Sequence, residues 1–153
     1  MQKSIINTFA IITLLASSCQ DSKKEKTVTE TPSISELEGK SCFMNAVNRD
    51  TTRVSIQIEG DKITGEMVWN PYQKDKRVGT LLGVKNASGE LELVYNFMQE
   101  GMSQAETKVM KIENDMLLIK HGDLEDPKND GNVRYRDVTK AIYSEKIPKV
   151  ICE

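Results

Sequence analysis

Three cysteines, one histidine and two nearby glutamates carry most of the chemical capacity of this 153-residue chain. Cys19 stands alone near the N-terminus, whereas Cys42 and Cys152 stand at the two ends of the remaining sequence. The single histidine, His121, has no Cys-x-x-Cys pair to join. The usual structural metal spacings are therefore missing, and neither a metal nor another cofactor is expected. Met98 and Met102 bear thioethers, soft groups suited to copper(I), but methionines beside a loop in a strand-rich chain more commonly fill irregular core space. Glu100 and Glu106 are the carboxylates that could converge, as glycoside cleavage requires of two carboxyl groups at a defined separation. Nothing in the sequence sets that separation. No Ser or Cys nucleophile motif accompanies His121, so it reads as a capping or hydrogen-bonded surface residue rather than a base. No catalytic residue is assigned, and the chain reads as a non-enzyme. Trp69, Tyr72, Tyr95 and Phe97, with Glu100 and His121, form the candidate ligand-binding set, although aromatics on alternating strands are more often core.

Such side chains matter only if the backbone brings them together, and from Ser41 onward the apolar pattern has period two. Val54, Ile56 and Ile58 alternate with Ser55, Gln57 and Glu59. Gly60-Asp61 is a turn signal, and residues 62–70 complete a hairpin. Residues 78–85 form the next strand, with Gly79 and Gly83 where a strand can bend or coil tightly. After a turn at 86–89, Leu91, Leu93, Tyr95 and Phe97 share one face. Residues 98–103 read as a loop, 106–112 and 116–121 as a hairpin, and 122–131 as a long acidic loop. The last strands are 132–136 and 146–152, with a short helix or irregular connection over 137–143. With 42–47 this makes about eight or nine short strands. The expected fold is all-β: a small antiparallel up-and-down barrel, lipocalin- or calycin-like, whose interior is either filled by side chains or holds one small ligand.

Residues 1–18 have the layout of an export signal, with Lys3, an apolar stretch from Ile5 to Ala16, and then small residues. The stretch is shorter than the ~20 residues a spanning helix needs. Leu15-Ala16-Ser17-Ser18-Cys19 resembles the lipobox of bacterial lipoproteins. It departs in placing Ala16, not Leu, at the position three before the cysteine. The resemblance implies a lipid-bearing thiol at Cys19 and a place in the cell envelope, tethered to a bacterial membrane. The outer membrane is the expected one, on its periplasmic or surface face. Residues 19–39 are polar and charged, too poor in apolar surface to offset ordering entropy, and read as a flexible tether.

Residues 40–153 suffice for one modest domain. The net charge is −2 with both signs interspersed, so no basic patch supports a nucleic-acid partner. Export leads to an oxidising compartment, where an even pair at the ends of a domain reads as a disulfide between Cys42 and Cys152. Closing so long a loop contributes on the order of 4–5 kcal/mol in the chain-entropy model, and it requires the first and last strands to meet within ~7 Å.

Gly60-Asp61-Lys62-Ile63-Thr64-Gly65, Lys74-Asp75-Lys76 with Gly79-Thr80 and Gly83, and Tyr95-Asn96-Phe97-Met98-Gln99-Glu100-Gly101 with Glu106 together resemble a family of small, uncharacterised lipoproteins of Bacteroidetes-type bacteria. The flanking Cys42 and Cys152 fit the same layout. The resemblance implies a compact barrel-like module on a lipid anchor and no known activity. Asp50-Thr51-Thr52 is similar to the short O-glycosylation signal of such bacteria, which marks Thr51. The expected function is a monomeric, non-enzymatic binding module. It would take a small apolar ligand at the barrel mouth, or an envelope protein through the loops. Lipid-anchored lysozyme inhibitors, small disulfide-bearing barrels, supply an alternative in architecture only, since their Ser-Gly plus Tyr loop signature is not found. A hydrolase using Glu100, Glu106 and His121 is the third.

Overall fold

The computed structural model describes residues 38–153; the export signal, Cys19 and all but the end of the tether lie outside the described residues. Successive side chains of a strand point to opposite faces, so period-two sequence becomes a sheet with one apolar side. Ten strands form: β1 (Gly39–Val47), β2 (Asp50–Glu59), β3 (Lys62–Asn70), β4 (Arg77–Lys85), β5 (Leu91–Gln99), β6 (Met102–Glu113), β7 (Met116–His121), β8 (Leu124–Glu125), β9 (Asn132–Tyr135) and β10 (Ile142–Val150). Eight of them, β1–β7 and β10, make a closed antiparallel barrel in the order β5-β4-β3-β2-β1-β10-β7-β6, sealed by β5 against β6. The up-and-down course breaks once, between β7 and β10. There β9 runs parallel to β6 at Ala105 and Glu106, along an edge that β7 leaves open because it pairs with β6 only over Met110–Glu113.

The all-β barrel is thus as the alternation predicts, while several boundaries differ. The expected loop over 98–103 contracts to Glu100-Gly101, both with positive φ (52° and 78°). Two such residues make the tight hairpin turn that matches strand twist, so β5 runs on to Gln99 and β6 begins at Met102. The acidic loop at 122–131 contains β8, which pairs with β9 through Leu124↔Tyr135 and Glu125↔Arg134. Over 137–143 the chain makes a 3-10 turn, Val138–Lys140, capped by the Asp137 carboxylate accepting from the Thr139 N–H at 3.0 Å. The last barrel strand starts earlier than expected, at Ile142, and ends at Val150.

The inward faces of all eight barrel strands fill the interior. Phe43, Ile56, Leu81, Leu93, Leu117 and Ile147 are among the side chains at 1% exposure or less. Close approach of strands is part of this packing. A Cβ at Gly79 would lie 2.0 Å from the Asn96 carbonyl oxygen, and one at Gly83 1.9 Å from that of Glu92. Only glycine lets β4 and β5 come together so tightly. Where the barrel closes, Cys42 of β1 is bonded to Cys152 just beyond β10, with Cα atoms 5.2 Å apart.

Candidate functional site

The turns after β1, β3 and β5 lie at one end of the barrel, called the upper end below. Thr52, Trp69 and Arg77 are cross-strand partners there and face inward. One row down stand Met67, Gly79, Phe97 and Gln104, and below them Tyr95 opposite Glu106. The Glu106 carboxylate takes a hydrogen bond from Lys108 Nζ at 2.5 Å through Oε1, and its Oε2 is 3.6 Å from Arg77 Nη1. Both Glu106 and Lys108 are buried. Arg77 Nε donates to Gln99 Oε1 at 2.8 Å, and the guanidinium lies 5.0 Å from the ring centres of both Trp69 and Phe97. Cation–π attraction and this fork of contacts hold the arginine against the rings. Tyr95 stacks on Phe97 with centroids 4.7 Å apart, and its hydroxyl donates to the Met67 carbonyl at 3.0 Å. Burial pushes the Tyr95 phenol up to about 12.

This arrangement neutralises a buried carboxylate with two cations and leaves it occupied. The candidate ligand-binding residues divide accordingly. Tyr95 and Phe97 are core, and Trp69 is half-buried at the upper rim. Tyr72 is exposed in the β3–β4 loop, its ring under the Arg49 guanidinium at 4.2 Å and its N–H donating to Asp50 Oδ1. Glu100 sits in the β5–β6 turn, exposed, and His121 ends β7 with Nε2 2.9 Å from Glu145 Oε2. Among the described residues, no hydrogen bond or ion pair joins any two of Glu100, Glu106 and His121. Thr51 lies inside β2, half-buried and partnered with Ala46 and Asn70, rather than in the turn. Among the described residues, no group of three or more His, Cys, Asp or Glu side chains is placed to hold a metal ion.

Sequence reasoning missed Lys108, Arg77 and Gln99. The first had a usable signal, since Glu106 and Lys108 are two apart on a strand and must share a face. It also missed an external groove of about 360 Å³. Its floor is the outer face of β1–β3, with Met44, Arg53 and Val68, and its wall is the chain end, with Val150, Ile151 and Glu153. Cys152 pins that end to β1, which leaves Ile151 93% exposed beside the groove. A second patch of apolar surface lies on the outer face of β4 and β5, where Val78 opposes Met98 and Leu82 opposes Val94, all about half exposed.

The lipoprotein resemblance rests on sequence motifs alone. No protein-family model, curated protein or solved structure matches this chain.

Proposed function

We propose that this chain is a lipid-anchored envelope protein whose barrel is a scaffold, and that it binds another protein through its outer surface without catalysing a reaction. One observation carries the reading: the interior is filled by core side chains and a neutralised ion cluster, while the groove and the exposed apolar side chains face outward. Exposed apolar patches commonly mark protein or membrane contacts. A small-ligand barrel instead needs a chamber lined by apolar groups with a few convergent polar ones, and Tyr95, Phe97 and Met110 occupy that space here.

The test places a photo-crosslinking amino acid at Ile151, at Leu82 and at the inward Gln104, one at a time, in the full chain in its own envelope. Protein crosslinks from Ile151 or Leu82 are the expected result. A small molecule retained in native mass spectrometry, with crosslinks to it from Gln104 and none to protein from the outer positions, would overturn the reading.

A further inference from the structure

Between β6 and β7 the barrel wall splits. The two strands are partners only over Met110–Glu113 of β6, and above that level β9 is wedged into the opening. β8 continues the upward course of β7, and β9 returns downward between β8 and β6. Val133 is the partner of Glu106, so the two share the inward face. The Tyr135 phenol closes the vertex of the split. It donates to the Lys120 carbonyl at 2.7 Å, and its oxygen lies within reach of the Val109 N–H. Burial holds this phenol above its ordinary value and the charge of Glu106 adds to the rise, so the ring borders the buried ion pair.

The wedge is tied closely to itself and sparsely to the barrel. Within it, Glu125 pairs with Arg134 and Arg136. The Asp126 carboxylate accepts from the N–H groups of Asp130 and Gly131, and the Arg136 N–H donates to the Asp123 carbonyl. Among the described residues, its hydrogen bonds to the barrel are three. They are the Tyr135 contact, the bond from the Ala105 N–H to the Gly131 carbonyl at 3.0 Å, and the short ladder Ala105↔Asn132 and Glu106↔Val133. Each of the eight barrel strands carries at least one buried side chain, whereas none of residues 122–140 is buried. A segment with so few buried contacts opens at a fraction of the global unfolding free energy. The two ends of the segment also meet, since a Cβ on Gly122 would lie 2.9 Å from that of Ala141. What lies beneath favours opening as well. Glu106 and Lys108 stand on β6 beside the split, and water returning to a buried ion pair recovers part of its desolvation cost.

We infer that residues 122–141 form a side gate in the barrel wall, turning as a unit about the Gly122–Ala141 contact. Its opening admits water and small solutes to Glu106 and Lys108 while the rest of the barrel stays folded. The inference goes beyond the protein-binding reading and holds or fails without it.

Acetylation of the full chain by an N-hydroxysuccinimide ester, read residue by residue by mass spectrometry, measures access to Lys108, with the exposed Lys74 as internal standard. Lys108 is expected to react slowly, and about tenfold faster in Tyr135→Phe, the factor that one lost hydrogen bond is worth. Ala105→Cys with Asn132→Cys staples β9 to β6 between cross-strand partners, which stand at a spacing a disulfide spans. The staple should slow the labelling of Lys108 at least tenfold. Hydrogen exchange shows whether the gate moves alone. The Ala105 amide, bonded across the gate, should exchange about a hundredfold or more faster than the amides of β2 and β3. Exchange of Ala105 in step with β2 and β3 overturns the inference, because the wall would then open only when the barrel unfolds. An unreactive Lys108 overturns it too. So does labelling at equal rates with and without the staple, since the reagent would then enter by the upper end. Should the staple fail to form, exchange at Ala105 and the response to Tyr135→Phe decide the matter. Crosslinking from Ile151 and Leu82 continues to test protein binding separately.

Discussion

Replacing Glu106 by alanine tests whether the ion cluster in the upper barrel is scaffold. Glu106 and Lys108 side chains are each 11% exposed, and their atoms approach to 2.5 Å. Removing the carboxylate strands the Lys108 ammonium in a site where, among the described residues, no other anion is bonded to it. Breaking a buried pair on one side costs about 3–5 kcal/mol. Arg77, 32% exposed at its side chain, keeps water and adds little to the loss. Against a total stability of about 5–15 kcal/mol, this is a large fraction. The double replacement Glu106→Leu with Lys108→Met removes both charges, and such exchanges are commonly neutral or stabilising. Urea unfolding followed by circular dichroism measures all three proteins. The expected result is a midpoint that falls sharply for Glu106→Ala and recovers in the double variant. An alanine variant within about 1 kcal/mol of the parent would refute the reasoning. So would a double variant as unstable as the single one, because the cost would then belong to packing and not to the stranded charge.

Reduction, or Cys42→Ser with Cys152→Ser, should cost about 4–5 kcal/mol in the same assay, given a separation of 110 residues between the cysteines. Hydrogen exchange should then rise first in β1 and β10, where only two residue pairs hold the seam. Gly79→Ala should destabilise by about 3 kcal/mol, since its Cβ would meet the Asn96 carbonyl. Gly89→Ala, with open space but φ of +80°, should lose about 1 kcal/mol; equal losses at both would contradict the close-packing account. Hydrogen bonds from Lys120, and then from Tyr143, hold the Glu90 carboxyl below the ordinary glutamate value. Its stabilising contribution is present above the unfolded-state value and is lost as pH falls through the depressed folded-state one. Unfolding between about pH 5 and pH 3 should therefore show a flatter loss of stability with acid for Glu90→Gln than for the parent. An unchanged slope would remove Glu90 from the acid response.

Alternation over 54–59 and 91–97, with turn signals at Gly60-Asp61 and Asn86–Gly89, was enough to read an all-β chain, and the terminal cysteine pair was enough to read a closure. These signals are local. Which face of a strand a residue occupies follows from its neighbours, because the backbone pleat repeats every two residues. The length of the β5–β6 turn was not legible, since Glu100 takes a left-handed conformation that its side chain does not advertise. Nor was the fate of Glu106, whose face was readable but whose partner Arg77 arrives from another strand. The groove exists because the disulfide holds the chain end against β1, and the seam ladder ends at Phe43↔Lys149 because Pro148, next in the register, has no N–H to continue it. Sequence alone thus determined most of the barrel strands, though not β8 or the start of β10, together with the inward faces of the clearly alternating ones and the residues able to join the ends. Tertiary structure decided which distant residues meet, because barrel register is set by closure of the whole sheet and not by any one segment of it.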